Sequence, residues 1–153
     1  MAIKKGQRFP IPFDIAFPQG AALIGEIEKV MKFNERRRQY TDEQDTDEET
    51  RLPKWKARLM DLSEGIRGTD SGIDLVFLAP VQPVPQGQEV LPGVRPVVLE
   101  NLMVQPRATL AGQFPKLIYS YFATGIAGDT SGAKQAPANP GASRPARGDE
   151  KVA

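Results

Sequence analysis

The 153 residues are enough for one domain with a hydrophobic core, but hardly for two. The chain has no cysteine and no histidine, which excludes disulfides and thiolate metal sites and removes the usual general base and the commonest transition-metal ligand. The chain has 20 basic and 19 acidic residues, a net charge of +1. No overall electrostatic attraction to nucleic acid is therefore expected.

The N-terminal residues 1–20 are interrupted by three prolines and lack the apolar run of a signal peptide. We predict that they form an extended arm whose backbone is set by those prolines. No stretch of the chain approaches the roughly 20 apolar residues of a membrane helix. We therefore expect a soluble, cytoplasmic protein that has no membrane partner.

The segment AALIGEIEKVMKF, residues 21–33, fits two structures. Leu23, Ile27 and Val30 recur at the spacing of one helix face, and Gly25 would cost such a helix only about 1 kcal/mol. The turn-bounded apolar runs elsewhere in the chain favour a strand, in which Gly25 marks a bend or bulge. We favour the strand and leave the helix open.

Residues 34–51 contain four arginines and seven acids, a net charge of −3. Within them, Asp45, Asp47 and Glu49 alternate as calcium ligands do. A calcium loop would also need a glycine at its sixth position and a glutamate at its twelfth, where Lys56 stands. A long, solvated acidic loop is the better interpretation, and no metal site is predicted.

Three consecutive arginines, Arg36, Arg37 and Arg38, open this acidic loop. They have two equally weighted interpretations. The guanidinium groups contact phosphates of a nucleic acid, or they pair with the acids that follow them in the same loop.

Short apolar runs bounded by turn residues predict the remaining strands, at 54–62, 72–81, 96–104 and 116–126. With residues 21–33 they make an all-β domain, residues 21–126. The leading architecture is a small five-stranded OB-like barrel with a long acidic first loop, and another β-sandwich or barrel is the alternative. Residues 127–153 have almost no bulky apolar side chain and are predicted to be a disordered C-terminal tail.

The run KWKARLMDL contains the chain's only tryptophan, Trp55. Period-two alternation puts Trp55 on one strand face and three cations on the other: Lys54, Lys56 and Arg58. If Trp55 fills the core, which we favour, the cations lie outside. In the last predicted strand Tyr119 and Tyr121 share a face, and a pair of tyrosines two residues apart is a plausible platform for stacking bases.

Enzyme motifs are absent from the sequence. The glycines of EGIRGTDSG do not have the spacing of a phosphate-binding loop. Without Cys or His, a nucleophile and base would have to be built from Ser or Lys with a carboxylate, and no pattern marks such a pair. We predict a non-enzymatic protein with no catalytic residues and no cofactor.

Six segments carry a resemblance to a known family: LIGEIEKVMKF, an acidic loop, LPKWKARLMDLSEG, PVQPV, RPVVLENLMVQP and LIYSYFATGIAG. In this order they resemble the plasmid replication, integration and excision activators of actinobacterial plasmids and integrative elements. The similarity covers about residues 22–127. It implies a non-enzymatic accessory protein of a mobile element that acts with replication or excision machinery, and it assigns no functional residues. Where relatives carry an aromatic residue, this chain has Arg107.

Two functions follow from these patterns. The first is binding of single-stranded DNA in support of replication or excision, through the residues Lys54, Lys56, Arg58, Tyr119, Tyr121, Arg36, Arg37 and Arg38. The second is a protein–protein adaptor or regulator of the replication or recombination proteins of the same element, without direct DNA contact. We favour the first; the sequence leaves a homo-oligomer open.

Overall fold

The computed structural model describes residues 2–63 and 72–131, and the described part is mostly β-strand, which confirms the all-β prediction. Residues 132–153, most of the predicted tail, lie outside it. The elements are β1 (Phe9–Pro10), α1 (Phe13–Ala16), β2 (Ala21–Lys29), β3 (Met31–Asn34), β4 (Gln39–Gln44), β5 (Lys54–Asp61), β6 (Gly72–Leu78), β7 (Val94–Val97), β8 (Leu99–Glu100), β9 (Met103–Ala111), β10 (Phe114–Ala123) and β11 (Gly125–Ile126). Within the described residues, no helix is long and apolar enough to cross a bilayer.

Seven strands form the main sheet, in the order β1-β9-β10-β6-β5-β2-β7. All neighbours are antiparallel except β10 and β6, which run parallel. The pairs β3–β4 and β8–β11 form two small sheets. Over the described ranges the strands do not close into a barrel, and the predicted five-stranded OB-like barrel is not confirmed. The main sheet is open, with β1 and β7 at its edges.

One face of the main sheet, here called the inner face, carries the hydrophobic core. Trp55 lies opposite Phe77, and Ala57 lies opposite Leu75, so that β5 and β6 contribute side chains in register. Buried residues from the chain segments around the sheet cover this face: Phe17, Leu99, Leu102 and Ile126. The other, outer face of the same strands carries Lys54, Lys56, Arg58 and Asp74 together with apolar residues such as Val76.

The ambiguous segment at residues 21–33 is strand, as favoured, and not helix. Gly25 adopts φ +74°, a conformation that glycine reaches without steric cost. The pairing of β2 with β5 is regular up to Ile24 and resumes at Glu28, shifted in register. Gly25 thus lies at the predicted bend or bulge, and beyond it β2 pairs with β5 again up to Lys29, before β3 begins at Met31.

Residues 1–20 were predicted to be an extended arm, but part of this segment is integrated into the fold. Phe9 pairs with Val104 at the sheet edge, and the turn of α1 follows. Phe17 is 2% exposed and lies in the core. Its ring contacts that of Phe13 at 5.4 Å between centroids. The proline spacing that suggested an extended arm could not reveal that Phe13 and Phe17 pack on the core.

The acidic segment is not one long loop. Its first part forms the hairpin β3–β4, in which Phe33 pairs with Tyr40. Its second part is held by Asp47, which is 2% exposed. Arg8 donates two hydrogen bonds to the Asp47 carboxylate, one of them at 3.1 Å from Nη1 to Oδ2. The Thr50 hydroxyl and backbone N–H donate to the same oxygen at 2.9 Å.

The titration of Asp47 reflects these bonds. Burial alone would raise the pKa of Asp47, but the hydrogen bonds from Arg8 and Thr50 outweigh it and lower the pKa from 3.8 to about 2. The Arg8 guanidinium lies 4.4 Å from the ring centroid of Phe122, where it also interacts with the aromatic face. The pair therefore joins the N-terminal segment, the acidic segment and β10.

We expect Asp47→Asn to lower the free energy of unfolding by about 3 kcal/mol, because a largely buried arginine then loses its carboxylate partner. The matched control is Asp45→Asn. Asp45 pairs with Lys54 at 3.0 Å in a more exposed place, so its loss should cost less than about 1 kcal/mol. Urea unfolding of both variants measures the difference, and equal losses would contradict the argument.

The same pair predicts a pH dependence. Because the folded pKa of Asp47 lies below its unfolded value, its stabilisation is complete above pH 3.8 and is lost as the pH falls through about 2. The stability difference between wild type and Asp47→Asn should therefore shrink between pH 5 and pH 2, by roughly 2 kcal/mol. A difference that stays constant over this range would show that the carboxylate charge does not contribute.

Candidate nucleic-acid interface

Strand β5 has the alternation that the sequence predicts. Trp55 is 6% exposed, and its indole Nε1 donates a hydrogen bond to the Ala79 carbonyl at 3.0 Å. The predicted cations Lys54, Lys56 and Arg58 project from the outer face. Trp55 therefore belongs to the core, and the three cations lie together on the opposite side of the strand.

Each of these cations already has a carboxylate partner. Lys54 Nζ lies 3.0 Å from Asp45 Oδ2, and Lys56 Nζ lies 3.9 Å from Glu28 Oε2. Arg58 Nη1 lies 2.8 Å from Asp74 Oδ1. The outer face thus carries the predicted cations without the excess of positive charge that a basic groove requires. The Lys56 and Arg58 pairs are more than half exposed, and such pairs contribute little energy and exchange readily.

A groove of about 660 Å³ runs over the outer face between β5, β6, β9 and β10. Val76 and Phe122 lie along it, and Lys54 and Arg107 lie at its sides. Arg107 donates to the Ser120 hydroxyl at 3.2 Å, and it has no acidic partner among the described residues. The alternation of β9 places Arg107 on this face, beside Ile118 of the neighbouring strand.

The two tyrosines of the predicted stacking platform differ in how far they are buried. Tyr119 is 49% exposed, whereas Tyr121 is half-buried and packs against Phe17, with ring centroids 6.1 Å apart. Burial raises the pKa of Tyr121, and the Tyr119 and Asp61 charges raise it further. Of the two predicted rings, only Tyr119 offers a substantial surface to a base.

A second aromatic pair lies on the hairpin β3–β4. Phe33 and Tyr40 occupy opposite positions on the two strands, so their side chains emerge on one face. Their centroids are 5.0 Å apart, and the rings are inclined by 73°. Phe33 is 50% exposed and Tyr40 is 70% exposed. Such exposure is unusual for two adjacent aromatic rings and leaves them open to a ligand.

The predicted Arg36, Arg37 and Arg38 form the tip of this same hairpin. Asn34 Oδ1 accepts a hydrogen bond from the Arg37 backbone N–H at 3.1 Å, and Arg38 takes the left-handed φ of +54° that turns the chain. All three side chains are exposed. Within the parts of the chain that the structure describes, none of them forms an ion pair.

The acids that follow pair with other cations. Glu43 lies 3.1 Å from Lys32 Nζ. Asp45 and Asp47 are bound to Lys54 and Arg8, as described above. Of the two interpretations of the arginines, pairing within the acidic segment is therefore not observed. The guanidinium groups remain available to an external anion.

The hairpin thus joins residues that the sequence interpretation kept apart. Arg36, Arg37 and Arg38 were candidates, whereas Phe33 and Tyr40 were overlooked. The signal was present in the run FNERRRQY, where aromatic residues flank a short polar turn symmetrically. The two rings come together only through the β3–β4 strand pairing, which the prediction of a loop at residues 34–51 did not include.

No cluster of acidic residues suited to a metal ion occurs in residues 2–63 and 72–131. Comparison of the chain with protein-family models, with curated protein sequences and with solved structures gives no match. The geometry of the site and the fold therefore carry the functional argument.

The burial of Trp55 predicts how its fluorescence should behave. The wild-type protein should emit at the short wavelengths of an apolar environment, and iodide should quench it weakly, because the indole is enclosed and hydrogen-bonded. A Trp55→Phe, Tyr40→Trp double variant should emit at longer wavelength and be strongly quenched, since position 40 is exposed. Equal quenching of the two proteins would contradict the assignment of Trp55 to the core.

Proposed function

We propose that this protein binds single-stranded DNA without catalysing a reaction, as an accessory of a plasmid or integrative element. The observation that carries the proposal is the β3–β4 hairpin, on which three arginines without acidic partners in the described chain lie beside two exposed aromatic rings. The mobile-element context rests on the sequence resemblance.

This combination suits a single strand. Bases have an apolar face that stacks on aromatic side chains, at roughly 1–3 kcal/mol per base. Arginine both neutralises phosphates and stacks on bases through its planar guanidinium group. In a duplex the faces of the bases are occupied by their neighbours, so the exposed rings of Phe33 and Tyr40 favour unpaired nucleotides.

The strand order supports an OB-type architecture for the proposed function. Counting only the five long strands, the order is β9-β10-β6-β5-β2, and the third and fifth in sequence, β6 and β10, are parallel. OB-folds arrange their five strands in this way and bind oligonucleotides on the face of strands two and three and on the flanking loops. In such an architecture the β3–β4 hairpin would take the place of the loop between strands one and two, and the outer-face groove that of the strand face.

The outer face would then serve as a secondary surface. A bound strand that leaves the hairpin can follow the groove past Arg107, and its phosphates can replace the exposed carboxylates paired with Lys56 and Arg58. Each such exchange gains little, because one ion pair replaces another. The greater part of the affinity is thus assigned to the hairpin.

The adaptor function is the second candidate. It is favoured by the balanced charge of the outer face and by exposed acids at Asp42, Glu48 and Glu49. An adaptor of this type would show no measurable affinity for oligonucleotides at low salt and would bind a basic partner protein instead.

The test is the anisotropy of a labelled single-stranded oligonucleotide, titrated at several salt concentrations. Replacing Arg36, Arg37 and Arg38 by Gln should reduce the slope of log affinity against log salt by up to about 2, since each phosphate contact contributes about 0.7. Tyr40→Leu should weaken binding by roughly 5- to 150-fold through the loss of stacking.

The matched control replaces three other exposed cations, Lys4, Lys5 and Arg51, by Gln. It changes the net charge equally but leaves the hairpin intact, and it should keep most of the affinity. If the control loses as much as the hairpin variant, the binding is only a response to net charge. If Lys56→Gln with Arg58→Gln loses more than the hairpin variant, the outer face is the main site. No binding at low salt would reject the function itself.

A further inference from the structure

The β9–β10 hairpin carries a second unusual surface. Its strands extend beyond the part of the sheet that packs on the core, and Gly112, with φ +67°, turns the chain tightly at the tip. The strand pairing places six exposed residues on the inner face of this hairpin: Pro106, Ala108, Leu110, Pro115, Leu117 and Tyr119. We call this set the apolar strip.

The apolar strip is continuous with the core and is itself uncovered. Leu110 is 70% exposed, Leu117 is 59% exposed and Tyr119 is 49% exposed. Two residues farther along β10, Tyr121 packs on Phe17 and belongs to the border of the core. The sheet therefore continues with the same apolar alternation past the point where the described chain covers it.

Charge is confined to the opposite side of this hairpin. Arg107 and Lys116 alternate with the strip residues and lie on the outer face. The strip has no charged member, and its one polar atom outside the backbone is the hydroxyl of Tyr119. A partner that covers the strip must therefore be apolar, and it need not contact the cations.

The segments of this chain that lie outside the described residues do not supply such a partner. Residues 64–71 contain one bulky apolar residue, an isoleucine, and residues 132–153 contain one, a valine. Neither segment has an aromatic residue or a leucine. Their composition offers little apolar surface to set against three large exposed side chains.

We propose that the apolar strip packs face to face on the same strip of a second copy of this chain, related by a two-fold axis. A flat ribbon of apolar side chains is self-complementary under such an axis, because identical surfaces meet. In this packing Arg107 and Lys116 of both copies point away from the contact, so like charges are not brought together. The inference does not rest on DNA binding.

Side-chain packing is favoured over joining of strand edges. Both strands of the projecting hairpin have a free edge, and each of them contains a proline, Pro106 in β9 and Pro115 in β10, which has no N–H to donate. Prolines on edge strands oppose edge-to-edge pairing. The contact is therefore between faces, as in two stacked sheets.

The area sets the strength of the association. Along each strand the strip extends over five positions, and at about 3.3 Å per residue it is roughly 15 Å long. Two such strips bury far less than the roughly 1,200–2,000 Å² of a stable interface. We expect reversible dimerisation with a dissociation constant of roughly 10–500 µM.

Sedimentation equilibrium of the full chain between about 5 µM and 1 mM tests the proposal. Wild type should change from monomer to dimer, and Leu117→Gln should weaken the dimer at least about tenfold. The matched control is Phe114→Gln, which removes an even more exposed apolar residue, 77% against 59% for Leu117, from the other face of the same hairpin and should leave dimerisation unchanged. Circular dichroism verifies that both variants fold, as is expected for exposed positions.

Three results would overturn the proposal. One is a wild-type protein that stays monomeric up to 1 mM. Another is a dimer that Phe114→Gln weakens as much as Leu117→Gln does. The third is protection of the strip from hydrogen exchange only after an oligonucleotide is added, which would make it a nucleic-acid surface. The first two results are measured on the protein without DNA, so a failure of DNA binding would not change them.

Discussion

The ion pair between Arg8 and Asp47 is the interaction on which the arrangement of this molecule depends. It joins residues 39 positions apart in sequence and places the guanidinium group over Phe122 of β10. One contact thereby fixes the N-terminal segment to the sheet and holds the second half of the acidic segment in place. Arg8 Nε lacks a hydrogen-bond partner within the described structure. An ion pair that is incompletely satisfied and largely buried contributes more to position than to net stability.

The consequence of this arrangement is a division of charge. The acidic segment delivers Asp45 and Asp47 to cations of the sheet and of the N-terminus, while Glu28 and Asp74 neutralise the remaining cations of β5. The arginines at the tip of the β3–β4 hairpin form no ion pair with these four carboxylates. A protein with a net charge of only +1 can thus present a local site for anions. Averaging charge over the chain or over one strand does not reveal this site.

The sequence predicts what depends on local periodicity and misses what depends on distant pairing. The faces of β5 follow from alternation alone, and Trp55 and Lys56 lie where that rule puts them. Apolar spacing in β2 fits a helix as well as a strand, and only pairing with β5 and β7 decides between them. The polar composition around Asp47 indicated a solvated loop, because a buried carboxylate cannot be recognised without its partner Arg8. Likewise Phe33 and Tyr40 become one site only when the hairpin forms.

The two hairpins differ in physical chemistry, and this difference makes their proposed roles separable. The site proposed at Arg36–Arg38 would act through charge, and salt would weaken it because the release of counterions gains less free energy at high salt. The association proposed for the apolar strip at Leu110, Leu117 and Tyr119 would remove apolar surface from water, a driving force that moderate salt does not screen. If two copies join through the strip, each dimer carries two arginine hairpins, and a strand long enough to reach both would gain affinity by an increased effective concentration. Raising the salt would then abolish binding to DNA first and leave the dimer intact, whereas a single shared surface would lose both properties together.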